Sequence, residues 1–269
     1  MKPDAGPLSF AVLVRGKRNK YVVGAGKEIL LVTWDSSQDD YNPECVKIAI
    51  VDNNIPDNRL SYGTVDPLDR LVFGTMNENG HPFGNVTSCN HNFKFVRQIK
   101  DIITSSGFVW EETASGPSKV YFVDALSHYD ILAYSFHKTA GTFRNHILAL
   151  DWSKISRRGT PRRLTIDRTG KLWVPLYEGR GIMQVDPAKH KIVQYIPVPA
   201  KRVGACVFGG PNLDVLYVST IGYGHKNDPE SRPFGDQGGT IFAFRGLGAK
   251  GWAPEQYRME KIPDSVQLI

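Results

Sequence analysis

The sequence predicts an all-β fold of the β-propeller class, on two observations. A short apolar and aromatic strand recurs five times, with first residues 50, 50, 51 and 44 positions apart. Most windows of helical length contain turn residues and show no sustained helical period. Strand pairs that recur every roughly 45 to 50 residues are typical of propellers, whereas the main alternative, a β-sandwich, has no reason to repeat at this interval. The five segments are YVVG (21–24), LVFG (71–74), YFVD (121–124), LWVP (172–175) and LYVS (216–219).

The segments around each repeat strand support the same fold. Turn residues precede four of the five, in the runs DPLDR (66–70), TASGPSK (113–119), DRTGK (167–171) and GGPNLD (209–214). A second apolar strand follows most repeats about ten residues later. The second strands lie at 29–32, 131–134 and 182–185 and, after a longer interval, at 241–244, with a less clear one near 85–89. We therefore expect about five blades in this chain, in a single domain over 1–269, with Trp110 and Trp173 in the core.

Composition and charge narrow the function classes. Thirty-three Lys and Arg against 27 Asp and Glu give a net charge of +6, a mild and dispersed excess that favours small anionic ligands over nucleic acid. Cys45, Cys89 and Cys206 are too few and too far apart for a disulfide framework or a metal cluster. The first apolar run is too short for a signal peptide, and no stretch approaches the ~18 apolar residues of a spanning helix. We expect a cytoplasmic protein without membrane or nucleic-acid partners.

In a propeller, ligand sites form where loops from several blades converge on the central channel. The candidate segments here are those just ahead of the repeat strands. They are 57–63, 104–108, 160–167 and 204–210.

Several longer runs carry a family resemblance. They are DNRLSYGTVDPLDRLVFGTM (57–76), SSGFVW (105–110), VYFVDALSHYDILAY (120–134), IDRTGKLWVPLYEGRGIMQVDP (166–187), CVFGGPNLDVLYVST (206–220) and GGTIFAFRGLGAKGWAP (238–254). In these runs the chain resembles the family of regucalcin (senescence marker protein), gluconolactonase and luciferin-regenerating enzyme, and the insect luciferin-regenerating branch most of all. The resemblance extends from Leu8 to Pro254.

The resemblance implies a six-bladed propeller with one divalent cation, Ca²⁺, Zn²⁺ or Mn²⁺, and lactonase activity. It places Leu8 at the family's second blade, so the first blade and its Glu ligand are missing from this chain. Ser106 stands at the position of the family's Asn ligand. Arg162 stands at the position of the Asp ligand that also acts in catalysis.

These replacements predict that the metal site is lost. Ca²⁺ requires six to eight oxygen ligands with carboxylates among them, and a guanidinium repels a cation. We therefore expect no cofactor and assign no catalytic residue. Among the family's substrate-binding positions Arg59 is retained and Ser61 replaces an Asn. Glu78 lies near an acidic position, to which Asn79 aligns equally well.

We expect Arg162, with Arg59, to bind a small anionic ligand, because a guanidinium matches carboxylate and phosphate with two parallel hydrogen bonds. The alternative is that Arg162 points to solvent within the basic run 156–163. The polar segment 222–239 is expected to be a surface loop or a lid.

Three functions remain open on the sequence. The first is a non-catalytic or altered propeller that binds a small anion, and the second is a metal-dependent hydrolase of sugar lactones. The third is a fragment whose propeller does not close for want of one blade.

Overall fold

The structure, a computed structural model, describes residues 6–35, 37–39, 42–127, 130–156, 158–224 and 230–269. Strands dominate it, and no helix in these ranges is long and apolar enough to cross a membrane. A 3-10 turn spans Trp152–Lys154. In chain order the strands are β1 (Leu8–Leu13), β2 (Lys20–Ala25), β3 (Glu28–Thr33), β4 (Glu44–Ile50), β5 (Asn58–Val65), β6 (Leu71–Asn77), β7 (Gly84–Cys89), β8 (Phe95–Ile102), β9 (Ser105–Glu111), β10 (Lys119–Asp124), β11 (Ile131–Phe136), β12 (Phe143–Leu150), β13 (Thr160–Pro161), β14 (Thr165–Ile166), β15 (Leu172–Tyr177), β16 (Gly181–Asp186), β17 (Lys191–Pro197), β18 (Val203–Gly209), β19 (Val215–Thr220), β20 (Ile241–Phe244) and β21 (Gln267–Leu268).

The strands form five sheets, one for each predicted repeat. Strands β1 to β4, β5 to β8 and β9 to β12 each form a sheet in sequential order, and β21 adds to the first in parallel with β4. The fourth sheet joins β15, β16 and β17, with β13 and β14 both paired to β15. The fifth contains β18, β19 and β20. Successive antiparallel sheets of this kind are a five-blade propeller arrangement, which confirms the predicted fold class.

The turn that precedes the repeat strand has the same geometry in two sheets, ahead of β6 and ahead of β15. Asp66 and Asp167 each accept, through Oδ1, the backbone N–H groups two and four residues further along, at 2.8 to 3.1 Å. The residue three positions further along has left-handed backbone angles, with φ of 60° at Asp69 and 79° at Gly170. Asp and Gly tolerate this conformation better than most residues do. Two of the repeated turns in the sequence are therefore held by the same set of backbone-to-carboxylate hydrogen bonds.

The described chain divides into two compact units. Unit 1 comprises the described residues up to Ser105 together with Pro254–Ile269. Its core packs side chains of the first two sheets around Phe73, and it includes Tyr257 and Met259 from the C-terminal segment, which are 1% and 3% exposed. The C-terminal segment is thus an integral part of the unit 1 core.

Unit 2 comprises the described residues of Ser106–Ala253 and contains the other sheets. Trp173 is fully buried and packs edge-on to Phe208, with ring centroids 5.5 Å apart. Trp110 is 8% exposed and makes a similar contact with Phe108 at 5.8 Å. Both tryptophans lie in the core, as predicted. A single domain over 1–269 stays a prediction.

Candidate functional site

Two of the predicted site residues form an ion pair in unit 1. Arg59 lies in β5, and Glu78 directly follows β6, the strand paired with it. Nε of Arg59 donates to Oε1 of Glu78 at 2.7 Å, and Nη1 donates to the Leu60 carbonyl at 3.1 Å. The side chains are 28% and 52% exposed, so water screens the pair, which contributes about 0–1 kcal/mol. Asn79 instead donates to the carboxylate of Asp57 at 2.9 Å.

Ser61 is buried in unit 1 at an irregularity in the pairing of β5 with β6. Its hydroxyl donates to the backbone carbonyl of Ser105 at 2.6 Å and lies 3.3 Å from that of Gly74. A hydroxyl carries a single proton, which is here directed at backbone acceptors. The structure therefore places Ser61 as a link between β5 and the segment at Ser105.

The other two predicted positions, Ser106 and Arg162, lie on adjoining segments of unit 2. Ser106 is buried in β9. A Cβ on the next residue, Gly107, would lie 3.1 Å from the Cα of Arg163, so the two backbones pass close together. Arg162 lies between β13 and β14, and its backbone N–H donates to the carbonyl of Pro175 at 2.9 Å.

The guanidinium of Arg162 belongs to a series of alternating arginines and tyrosines. It lies 4.7 Å from the ring centroid of Tyr177, and that of Arg202 lies 5.6 Å from the same ring. Arg202 is also 4.5 Å from the ring centroid of Tyr223. Contacts of this kind contribute about 0.5–2 kcal/mol each. We call Arg162, Tyr177, Arg202 and Tyr223 the arginine–tyrosine stack. Arg162 is half-buried within it, not displayed on a solvated loop.

Two glutamates compensate the charge of Arg202, whose side chain is only 4% exposed. Nε of Arg202 lies 3.4 Å from Glu178, and Nη2 forms a short ion pair with Glu230. Lys201 contacts the same two carboxylates, Glu178 at 2.6 Å and Glu230 at 3.4 Å. The hydrogen bond with Glu178, followed by the charges of both glutamates, raises the pKa of Lys201. A buried cation needs such partners, because its desolvation is otherwise costly.

The segment that carries Tyr223 and Glu230 is held against Lys201 by backbone contacts. Asp236, which is 4% exposed, accepts the backbone N–H of Lys201 at 2.7 Å, and Gln237 donates to the carbonyl of Pro199 at 2.8 Å. Partial burial, reinforced by the charge of Asp236, raises the pKa of Tyr223. Residues 225–229 of the predicted loop lie outside the described residues.

The resemblance implies that Ser106 and Arg162 stand at the family's ligand positions, and the chemistry of these two side chains does not fit a divalent cation. Ser106 offers one neutral hydroxyl, and Arg162 offers a positive charge where a carboxylate ligand would be needed. Within the described ranges, no group of three or more His, Cys, Asp or Glu side chains is placed to hold a metal ion. No catalytic step through a metal follows from this geometry.

The sequence did not identify the rest of the stack. Tyr177 ends a repeat strand, and Arg202 lies two residues ahead of the candidate segment 204–210. Glu230 is 28 residues from Arg202 in sequence and belongs to the segment predicted as a loop or lid. No sequence motif links Tyr177, Arg202 and Glu230. The sequence feature that could have pointed to Arg202 is its position next to the candidate segment 204–210.

Comparisons with known proteins extend over most of the chain. A family model described as "SMP-30/Gluconolactonase/LRE-like region" matches residues 2–222. Regucalcin of Homo sapiens is 30% identical over 244 residues, which are 88% of this chain and 77% of that protein. A solved luciferin-regenerating enzyme is similar with a TM-score of 0.86 at 26% identity, over 94% of this chain and 82% of its own. A calcium-binding protein, regucalcin, from Agrobacterium tumefaciens has a TM-score of 0.77 at 18% identity, over 94% and 80% of the two chains, and supports the fold alone.

Proposed function

Since the chain belongs to the SMP-30/gluconolactonase/LRE-like family, we propose that it is a regucalcin- and gluconolactonase-like propeller with a degenerate metal site. It binds a small anionic ligand at the arginine–tyrosine stack and does not catalyse turnover of that ligand. It needs no divalent cation to do so.

The observation that carries this proposal is the position of the Arg162 guanidinium. Arg162 stands where the resemblance implies the family's carboxylate ligand, and its guanidinium lies 4.7 Å from the ring centroid of Tyr177. An aromatic ring fixes the orientation of a guanidinium and leaves its N–H groups at the edge, where a carboxylate or phosphate accepts two parallel hydrogen bonds. The positive charge of the site is then supplied by the chain.

The net charge of the chain supports the same ligand class. A formal charge of +6 raises the local concentration of small anions at the surface and speeds their association. In unit 1, Arg59 lies against Glu78, so an anion that uses Arg59 must compete with that carboxylate. We therefore assign the anion contact to Arg162.

The competing function is divalent-metal-dependent hydrolysis of sugar lactones. It is favoured by the family model, whose description names gluconolactonase. Such a reaction requires a site that recruits a cation, and the donor set at Ser106 and Arg162 argues against one.

Calorimetric titration with gluconate, in the presence of EDTA, tests the proposal. Gluconate carries one carboxylate, and glucose is its uncharged counterpart. A hydrogen-bonded charge pair contributes about 1.5–3 kcal/mol, so Arg162→Ala should weaken gluconate binding ~10- to 100-fold. Arg158→Ala removes the same charge from an exposed position nearby and should change the affinity little. Equal affinities of Arg162→Ala and the wild type would refute the assignment.

A further inference from the structure

The two glutamates on Arg202 and Lys201 come from different parts of unit 2. Glu178 directly follows β15 and is adjacent in sequence to Tyr177 of the stack. Glu230 comes from the segment between β19 and β20, 28 residues away from Arg202. Both acids contact both cations, so they share one pair of positive charges.

Glu230 is on the solvent side of this group. Its side chain is 47% exposed, whereas that of Arg202 is 4% exposed. Its two carboxylate oxygens are divided between the cations, with Oε2 on Nη2 of Arg202 and Oε1 3.4 Å from Nζ of Lys201. The outermost group on the buried Arg202 is therefore a carboxylate that bridges two cations.

We propose that Glu230 occupies the position of the ligand's carboxylate, and that the ligand is a small carboxylate that replaces Glu230 on Arg202 and Lys201. This inference rests on the proposed function, because it extends the ligand site from Arg162 along the stack to Arg202. It also narrows the proposed ligand from small anions in general to small carboxylates.

Charge balance favours a carboxylate over a phosphate in this exchange. When one carboxylate replaces another, Arg202 and Lys201 remain matched by two negative charges, since Glu178 stays in place. A phosphate would bring about −1.5 to −2 charges and leave the pair over-compensated. The ring of Tyr223, 4.5 Å from the Arg202 guanidinium, lies on the same chain segment as Glu230 and would border the exchanged ligand.

The carboxylate of Glu230 belongs to the same chain as the two cations, so it competes with the ligand at an effective concentration of about millimolar order. Removal of Glu230 should therefore tighten carboxylate binding, by roughly 3- to 10-fold for a weak ligand. The ligand's gain in affinity is the distinguishing outcome, because loss of a merely structural ion pair would not improve binding.

The experiment compares Glu230→Ala with the wild type in thermal melts, with sodium acetate or with sodium chloride at matched ionic strength. Acetate should raise the Tm of Glu230→Ala more than that of the wild type, because in the wild type it must displace the carboxylate of Glu230. Glu260→Ala is the matched control, since Glu260 is 49% exposed and pairs with Arg258 in unit 1. It should respond to acetate no more than the wild type does.

Gluconate titrations of the same variants complete the test. Glu230→Ala, and Glu230→Gln as the variant that keeps the side-chain size, should both bind gluconate more tightly than the wild type. No acetate-specific Tm rise together with unchanged gluconate affinity would overturn the inference. The Arg162→Ala titration judges the proposed function separately, since an effect there with none at Glu230 refutes only the exchange. The absence of any gluconate binding, to the wild type and to the variants, would refute the proposed function and the exchange together.

Discussion

Replacement of Asp167 tests the reasoning about the repeated turn. Its carboxylate is 1% exposed and joins the turn before β15 to the core of unit 2. Oδ1 accepts the backbone N–H groups of Thr169 and Lys171, and Oδ2 accepts Nε1 of Trp173 at 2.9 Å and Nε2 of Gln184 at 3.2 Å. Asp167→Ala removes all of these acceptors at once.

The expected loss of stability follows from the donors left behind. Trp173 and Gln184 are 0% and 7% exposed, so water has little access to their N–H groups. A buried donor without its acceptor costs about 1–3 kcal/mol. With the turn also weakened, we expect Asp167→Ala to lower the free energy of unfolding by about 3–5 kcal/mol. For a chain of this size that lowers Tm by roughly 10 °C.

The same carboxylate should contribute to acid sensitivity. Burial raises the pKa of Asp167, but hydrogen bonds from Thr169, Trp173 and the backbone outweigh burial and hold this pKa below its usual value. A carboxyl whose pKa is lower in the folded state stabilises the fold above its unfolded pKa, and this contribution is lost as pH falls through the folded pKa. Asp167→Asn should therefore flatten the decline of stability below about pH 4.

Urea unfolding at neutral pH and at about pH 3 measures both effects. Asp264, whose side chain is 96% exposed, provides the control variants Asp264→Ala and Asp264→Asn, which should unfold like the wild type. Unfolding of Asp167→Ala at the same urea concentration as Asp264→Ala would refute this role of Asp167.

Two further predictions follow from burial. Cys45 is exposed and should react with a thiol reagent in the native protein. Cys89 and Cys206 should not react until unfolding, because burial raises the pKa of Cys89 to about 12 and also raises the pKa of Cys206; rapid labelling of all three thiols would contradict this. Gly181→Ala should destabilise by about 1–3 kcal/mol in urea unfolding, because a Cβ there would lie 2.4 Å from the ring of Tyr195; an unchanged midpoint would contradict it.

The turns and the repeated strand pairs were predictable because local chemistry determines them. Asp66 and Asp167 recur at equivalent places because each satisfies the backbone of its own turn. The outer strands β8, β12 and β17 were not identified as strands. They are amphipathic and carry charges such as Arg97 and Lys191, so their strand character depends on the neighbour with which they pair.

The site was predictable only in part, for the same physical reason. Arg59 and Glu78 meet through the hairpin of β5 and β6, a contact of short range. Arg202 and Glu230 meet where Asp236 and Gln237 hydrogen-bond with residues 199–201, a contact of long range in sequence that no local pattern encodes. The sequence left open whether Arg162 points to solvent, since only tertiary packing brings Tyr177 beneath its guanidinium.

The central claim is that the chain supplies the positive charge of its ligand site without a metal ion. Titration of the wild type with gluconate, in EDTA and then in Ca²⁺, Mn²⁺ or Zn²⁺, tests this claim most directly. We predict the same affinity in all four solutions and no turnover of gluconolactone above the uncatalysed rate. Binding that appears only with a metal ion, or lactone hydrolysis that EDTA abolishes, would contradict the account and restore the metal-dependent lactonase.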